Sequence, residues 1–195
     1  MSNKVNKLSG TIAAQASAQG VSGISVIRVS GNKCKSIAKK VTGKTLAHMK
    51  AQHTDFFDSD GAVIDSVVVL FFASPASYTG EDVLEISCHG STAVVDEILK
   101  TLYEQGARQA SAGEFTKRAF LNDKLDLVQA EAVADLIEST SAETARAAKN
   151  SLEGLFSKKI LGLLDALTEL RANIEASLDF PEEDLEQTGH NQAVK

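Results

Sequence analysis

Cysteine is scarce in this 195-residue chain. The two present, Cys34 and Cys88, have neither metal-ligand nor redox spacing. They read as reduced thiols of a cytosolic protein. Long apolar runs are missing too, so no membrane-spanning helix is expected. The first residues, Met1-Ser-Asn-Lys-Val-Asn-Lys, lack the apolar core of a secretory signal. No G-x-x-x-x-G-K-[ST] phosphate loop is present, so this chain alone should not hydrolyse a nucleoside triphosphate. Paired histidines are absent. Cys88 and His89 are neighbours on an expected strand, so they point to opposite faces and make a poor metal site. A serine nucleophile with a convergent base is not visible, and His48, His53 and His190 fall in expected surface segments.

Hydrophobic content of 43% and charge of 24% are ordinary for a globular protein long enough to bury a sizeable core. The net charge of −6 is unevenly spread: residues 1–124 hold 14 Lys and Arg against 12 Asp and Glu, residues 125–195 only 6 against 14. The acidic part is a poor polyanion binder by itself. A nucleic-acid role would need a local basic face in the first part, or further chain.

One stretch dominates: Gly113 to Ile137, GEFTKRAFLNDKLDLVQAEAVADLI. It reads as two helical patterns around a polar hinge, Asn122-Asp123-Lys124. Phe115, Ala119 and Phe120 form an apolar stripe before the hinge; Leu127, Ala130, Val133, Ala134 and Ile137 form one after it. A helix–loop–helix corner with a solvated turn explains the pattern. So does a joint between two bodies, where Lys124 would meet a ligand.

Before that stretch, strands and helices alternate. Thr11–Ser17 is an expected strand, followed by a turn at Ala18–Gly23 and a strand at Ile24–Ser30. In that strand Ile24, Val26 and Arg28 share one face, and Ser25, Ile27 and Val29 the other. Arg28 is either an edge-strand arginine with its stem on apolar surface or a ligand-facing one. A lysine-rich helix over Lys33–Val41 ends at Gly43; its lysines are a solvated face or, on weak evidence, a phosphate contact. Strands at Ala51–Phe57 and Val63–Ala73 flank the hairpin signal Asp60-Gly61. The second is apolar on both faces and so belongs inside a sheet. In the strand Asp82–Cys88, Glu85 points away from Leu84 and Ile86. Ser91 is placed to cap a helix to about Gln105, with Val94, Val95, Ile98, Leu99 and Leu102 buried.

Beyond residue 112 or so the pattern is helical only. Thr140-Ser-Ala-Glu143 has capping-box spacing and starts a helix expected to run to about Leu178, before Pro181 forbids more. Phe156, Ile160, Leu163, Leu167, Leu170 and Ile174 make a heptad-like seam on it. Unbroken, its 38 residues would reach about 57 Å, so a partner is expected: another subunit or more chain. The acidic segment from Asp179 to Glu186 leads to a polar end, Gln187–Lys195, expected to be disordered.

Arg28, Glu85 and Lys124 remain as charged residues at the ends of apolar elements. A carboxylate can accept two hydrogen bonds from an amino-pyrimidine edge, and Arg or Lys can pair with a carboxylate tail. Spacing alone does not separate that chemistry from three ordinary surface residues.

The sequence resembles the tRNA modification GTPases called MnmE or TrmE. The resemblance lies in GEFTKRAFLNDKLDLVQAEAVADLI, in SYTGEDVLEISCHG (Ser77–Gly90), in IRVSG (Ile27–Gly31) and in SLDFPEED (Ser177–Asp184), whose order and spacing also match, covering nearly the whole chain. It implies an α+β chain. The first domain, residues 1–121, would be an α/β fold similar to the tetrahydrofolate-binding domain of glycine-cleavage T proteins. It would dimerise and bind 5-formyltetrahydrofolate or 5,10-methylenetetrahydrofolate through Arg28, Glu85 and Lys124. Residues 122–180 would be the first part of an incomplete helical domain. Residues 181–195 would be an acidic tail leading toward a GTPase domain that uses GTP, Mg and K. With the flavoprotein MnmG (GidA), the cytoplasmic full-length homodimer would modify carbon 5 of the wobble uridine of certain tRNAs. This chain has no GTPase motif, so it is expected to be an expressed fragment or a truncated relative without activity of its own. Two family prolines are replaced, at the turn Ala18-Gln-Gly-Val-Ser and at Ser111-Ala-Gly-Glu-Phe, which frees those turns in the unfolded chain. The resemblance leaves two alternatives: an assembly-only module with a vestigial folate pocket, and a free-standing folate enzyme such as an aminomethyltransferase.

Overall fold

The computed structural model of the chain describes residues 10–179. The acidic segment and polar end expected over 181–195 lie outside the described residues. Two compact units divide at Ala130 and Glu131.

The first unit is built on a six-stranded sheet: β1 (Thr11–Gln15), β2 (Ser22–Ser30), β3 (Gln52–Phe57), β4 (Val63–Phe72), β5 (Val83–Gly90) and β6 (Ala107–Gln109), in the order β3-β4-β5-β2-β1-β6. All neighbours are antiparallel except β1 and β6. With the helices this makes an α+β chain, as expected.

Alternation along the strands sorts residues onto two faces. Phe71, Leu84, Val29 and Ala13 lie in one row across β4, β5, β2 and β1, and Val69, Ile86 and Ile27 in a parallel row. All are buried. Against them pack α1 (Cys34–Thr42), through Ile37, Ala38 and Val41, and α2 (Thr92–Glu104), through Val95, Ile98 and Leu102. Each large aliphatic side chain among them contributes about 1.5–3 kcal/mol by burial. Between the two rows runs a third, Leu70–Glu85–Arg28–Ala14, pointing to the other face. β2 is an interior strand, which removes the edge-strand reading of Arg28.

Several expectations need correction. β4 is apolar on both faces and interior, but only Val67, Val69 and Phe71 are buried; Val68 is exposed. Ser91 occupies the N-cap position of α2 without a side-chain cap bond. The three-residue β6 carries too few positions to show a period, and sequence reasoning missed it. On α3 (Glu114–Leu121) the buried residues are Glu114, Arg118 and Ala119, while Phe120 is exposed. Of the expected apolar stripe only Ala119 is fully buried, and a buried ion pair takes the rest of that side. On α4 (Leu127–Glu138), Leu127 and Ile137 are exposed and Ala132 is the buried residue.

In the second unit, α5 (Ala142–Leu152) is capped one residue later than expected. The Thr144 N–H donates to Ser141 Oγ and the Ser141 N–H to Thr144 Oγ1, both at 3.2 Å. The expected single long helix is two. Gly154, at φ 76°, takes a left-handed conformation that a helix cannot continue through. α6 (Leu155–Asp179) then runs 25 residues, about 38 Å. Its seam from Phe156 to Ile174 is half exposed throughout.

Candidate functional site

β2 and β5 place Arg28 and Glu85 directly opposite each other in the ladder. Arg28 Nε and Nη2 donate to the same oxygen, Glu85 Oε1, at 2.9 and 2.7 Å. Glu85 Oε2 has no partner among the described residues. Both side chains are 25% exposed, so the pair sits at a boundary between protein and solvent. The guanidinium also lies 5.2 Å from the Tyr78 ring centroid and 5.7 Å from that of Phe115. Cation–π attraction to those rings holds the plane of Arg28 in place. The Tyr78 hydroxyl shares a 2.8 Å hydrogen bond with Thr116 Oγ1, which ties the β4–β5 loop to α3.

Lys124 arrives from the turn after α3. Asn122 Nδ2 donates to Thr79 O at 2.7 Å, Asp123 adopts φ 56°, and the Lys124 N–H returns to Ala119 O at 2.9 Å. An aspartate tolerates that left-handed conformation better than most residues. The turn packs on Gly80: a Cβ there would stand 3.1 Å from Asn122 Cβ and 3.2 Å from Lys124 Cγ. The Lys124 ammonium donates to Pro75 O at 3.2 Å.

Glu85 and Lys124 line one cavity of about 340 Å³, walled by Met49, Phe72, Tyr78 and Val83 with Ala76 and Ser77. That volume is at the lower end for small-molecule sites. Arg28 is not in the lining; it meets the cavity through Glu85. Of the three expected residues, two therefore share a cavity and the third is bonded to one of them. The wall is apolar and aromatic, with one carboxylate and one ammonium. This donor set suits a flat heteroaromatic group with an amino-pyrimidine edge for Glu85 and an anionic substituent for Lys124.

A second cluster, which sequence reasoning missed, braces the same loop. Arg118 is 2% exposed. It donates to Glu114 Oε1 at 3.0 Å, Glu81 Oε2 at 2.8 Å and Gly10 O at 2.9 Å. Ser30 Oγ donates to Glu81 Oε2 at 2.8 Å and shares a hydrogen bond with Thr79 Oγ1. Arg108 closes the cluster on Glu114 Oε2 at 2.8 Å. Hydrogen bonds from Arg108 hold the Glu114 carboxyl at about 2, against the opposing effect of burial. The available signal was the i, i+4 spacing of Glu114 and Arg118. Cys34 and Cys88 are buried free thiols; burial pushes Cys34 up to about 12, so it is no nucleophile.

Comparison with known proteins matches residues 11–124 to the family described as GTP-binding protein TrmE N-terminus, and residues 127–195 to the MnmE helical domain. The tRNA modification GTPase MnmE of Neisseria meningitidis serogroup B is 54% identical over 176 residues, covering 90% of this chain and 39% of the relative. The protein of that name from Coxiella burnetii gives the same identity and coverage, and that from Neisseria gonorrhoeae is 53% identical over the same spans. The chain thus spans about two fifths of the length of these relatives.

Proposed function

This chain belongs to the MnmE (TrmE) family of tRNA modification GTPases, and from that premise we propose that its first unit binds a reduced folate. The ligand is 5-formyltetrahydrofolate or 5,10-methylenetetrahydrofolate. The observation that carries the reading is the uncommitted Oε2 of Glu85 at a cavity it shares with Lys124. Glu85 accepts from the amino-pyrimidine edge. Arg28 fixes the orientation of the Glu85 carboxylate beside an apolar wall. Lys124 meets the carboxylate end. The folate supplies a one-carbon unit, and the pocket residues bind and orient it.

The wider assignment is part of the same proposal. Residues 1–121 pair two copies and bind folate together with Lys124 from the segment that follows, and residues 122–180 begin the helical domain. The whole protein hydrolyses GTP with Mg and K and acts in the cytoplasm. With MnmG (GidA) it installs the (carboxymethyl)aminomethyl group at carbon 5 of the tRNA wobble uridine.

Calorimetry with 5-formyltetrahydrofolate tests the pocket. Loss of one charged hydrogen-bond partner removes about 1.5–3 kcal/mol. Arg28→Ala, Glu85→Gln and Lys124→Ala should each weaken binding by about 10- to 100-fold. Absence of binding by the folded chain, or affinity unchanged in all three variants, would overturn the reading.

A further inference from the structure

We propose that the lysine-rich outer arc of α1 forms an RNA-backbone contact surface, on the side of the sheet away from the folate pocket. The inference rests on the tRNA reading above but uses different residues. From Val29 to Thr54 the chain has no Asp or Glu, yet it carries Lys33, Lys35, Lys39, Lys40, Lys44 and Lys50. All six are exposed. In a chain of net charge −6 this is a concentrated positive field.

Helix geometry gathers the charge. Cys34, Ile37, Ala38 and Val41 take the buried side of α1, which leaves Lys35, Ser36, Lys39 and Lys40 along the outer arc. Few of these ammonium groups are neutralised. Lys35 meets Asp82 at 3.6 Å, and Lys44 donates to His53 O at 3.4 Å. Among the described residues, Lys33, Lys39, Lys40 and Lys50 have no carboxylate partner. Lys35 and Lys39 are a like-charge i, i+4 pair, an arrangement that destabilises a helix slightly. A bound polyanion relieves that repulsion. Beside them lies a cavity of about 320 Å³, lined by Lys35, Ser36, Lys39 and Thr45 over Ala38, Leu46 and Phe71. Its hydroxyls and ammonium groups are donors of the kind that hold phosphate and sugar oxygens.

The chemistry favours RNA over other acidic partners. Protein interfaces are depleted in lysine and centre on aromatic or arginine anchors, and the outer arc of α1 has neither. A membrane-surface helix needs a free apolar side, and the apolar side of α1 is in the core. Because α1 covers the buried rows of the sheet while Arg28 and Glu85 point the other way, RNA and folate would bind without excluding each other.

The test is fluorescence anisotropy of the 195-residue chain with a labelled unmodified tRNA transcript, titrated with salt. The variant is Lys33→Ala/Lys39→Ala/Lys40→Ala, with Lys→Arg at the same positions as the control. Each ammonium that neutralises a phosphate adds about 0.7–0.9 to the slope of log K against log[salt]. The alanine variant should therefore have a slope shallower by about 2–3 and bind at least tenfold more weakly, while the arginine variant binds like wild type. Saturating 5-formyltetrahydrofolate, and Arg28→Ala, should leave RNA affinity unchanged. No tRNA binding at low salt, an unchanged slope in the alanine variant, or displacement by polyglutamate at equal charge concentration would overturn the proposal. Folate calorimetry on the same alanine variant reports separately on the pocket.

Discussion

Glu114 and Arg118 pair inside the protein, one helical turn apart on α3, with side chains 4% and 2% exposed. A charge that deep is tolerated because every partner is supplied: Arg118 reaches two carboxylates and a backbone carbonyl, and Glu114 also receives Arg108 and the Ser111 N–H. The cluster joins the start of β1, the β4–β5 loop and α3, which carry Tyr78 and Phe115 and lead into the turn that holds Lys124.

Removing Arg118 should therefore be among the most damaging single changes in the first unit. Arg118→Ala takes the buried cation from both Glu114 and Glu81, and loss of one partner of a buried pair runs to about 3–5 kcal/mol. Arg118→Lys keeps the charge but cannot fork to three acceptors, so it should recover only part of the loss. Urea unfolding midpoints of the two variants against wild type measure both effects. Equal stability of Arg118→Ala and wild type would show that the cluster is incidental.

The same cluster gives the fold an acid-sensitive window. Glu114 titrates at about 2 in the folded chain against an ordinary 4.5, chiefly because Arg108 bonds its charged form, with Ser111 and Arg118 assisting. A folded value below the unfolded one means the unfolded chain binds the proton more readily. This contribution is complete above the unfolded value and is lost as pH falls from about 4.5 towards 2. Arg108→Ala raises the folded value, so that variant should be less stable at pH 7 and lose less on acidification. Urea midpoints collected from neutral pH down into this acid window for both proteins check the sign.

Gly80 couples stability to the pocket. At φ 75°, any side chain is strained, by about 1 kcal/mol for alanine. An added methyl would also press on Asn122 and Lys124. Gly80→Ala should lower the melting temperature and, by displacing Lys124, weaken 5-formyltetrahydrofolate several-fold. Lys124→Ala should weaken the ligand with little change in melting temperature, because that side chain is exposed. Thermal melts and calorimetry on the two variants separate the effects.

Period-two and period-3.6 patterns made most of the first unit legible. β2 and β5 emerged with the correct faces because Ile27, Leu84 and Ile86 alternate with Arg28 and Glu85, and β4 emerged as an interior strand without its faces. The buried ion pair was not legible. Glu114 and Arg118 have the composition of a solvated helix face, and only the tertiary positions of Glu81 and Gly10 make their burial tolerable. The break at Gly154 was hidden by good helix formers on both sides. The length of β6 is below what any periodicity can register. At the pocket, residue chemistry nominated Arg28, Glu85 and Lys124. That Glu85 and Lys124 line one cavity depends on the turn at Asp123 and the clearance at Gly80.

The row Leu70–Glu85–Arg28–Ala14 lies between two buried rows, and this makes the hydrophobic core a vernier for the ligand. A slip of one residue between β2 and β5 would bring Ile27 to the solvent side and Arg28 into the interior, so the core rejects it. The alignment of guanidinium to carboxylate is thus set by Ile27, Val29, Leu84 and Ile86, none of which needs to touch a ligand. Substitutions at these four positions that leave the chain folded should blur the binding geometry as well as lower stability.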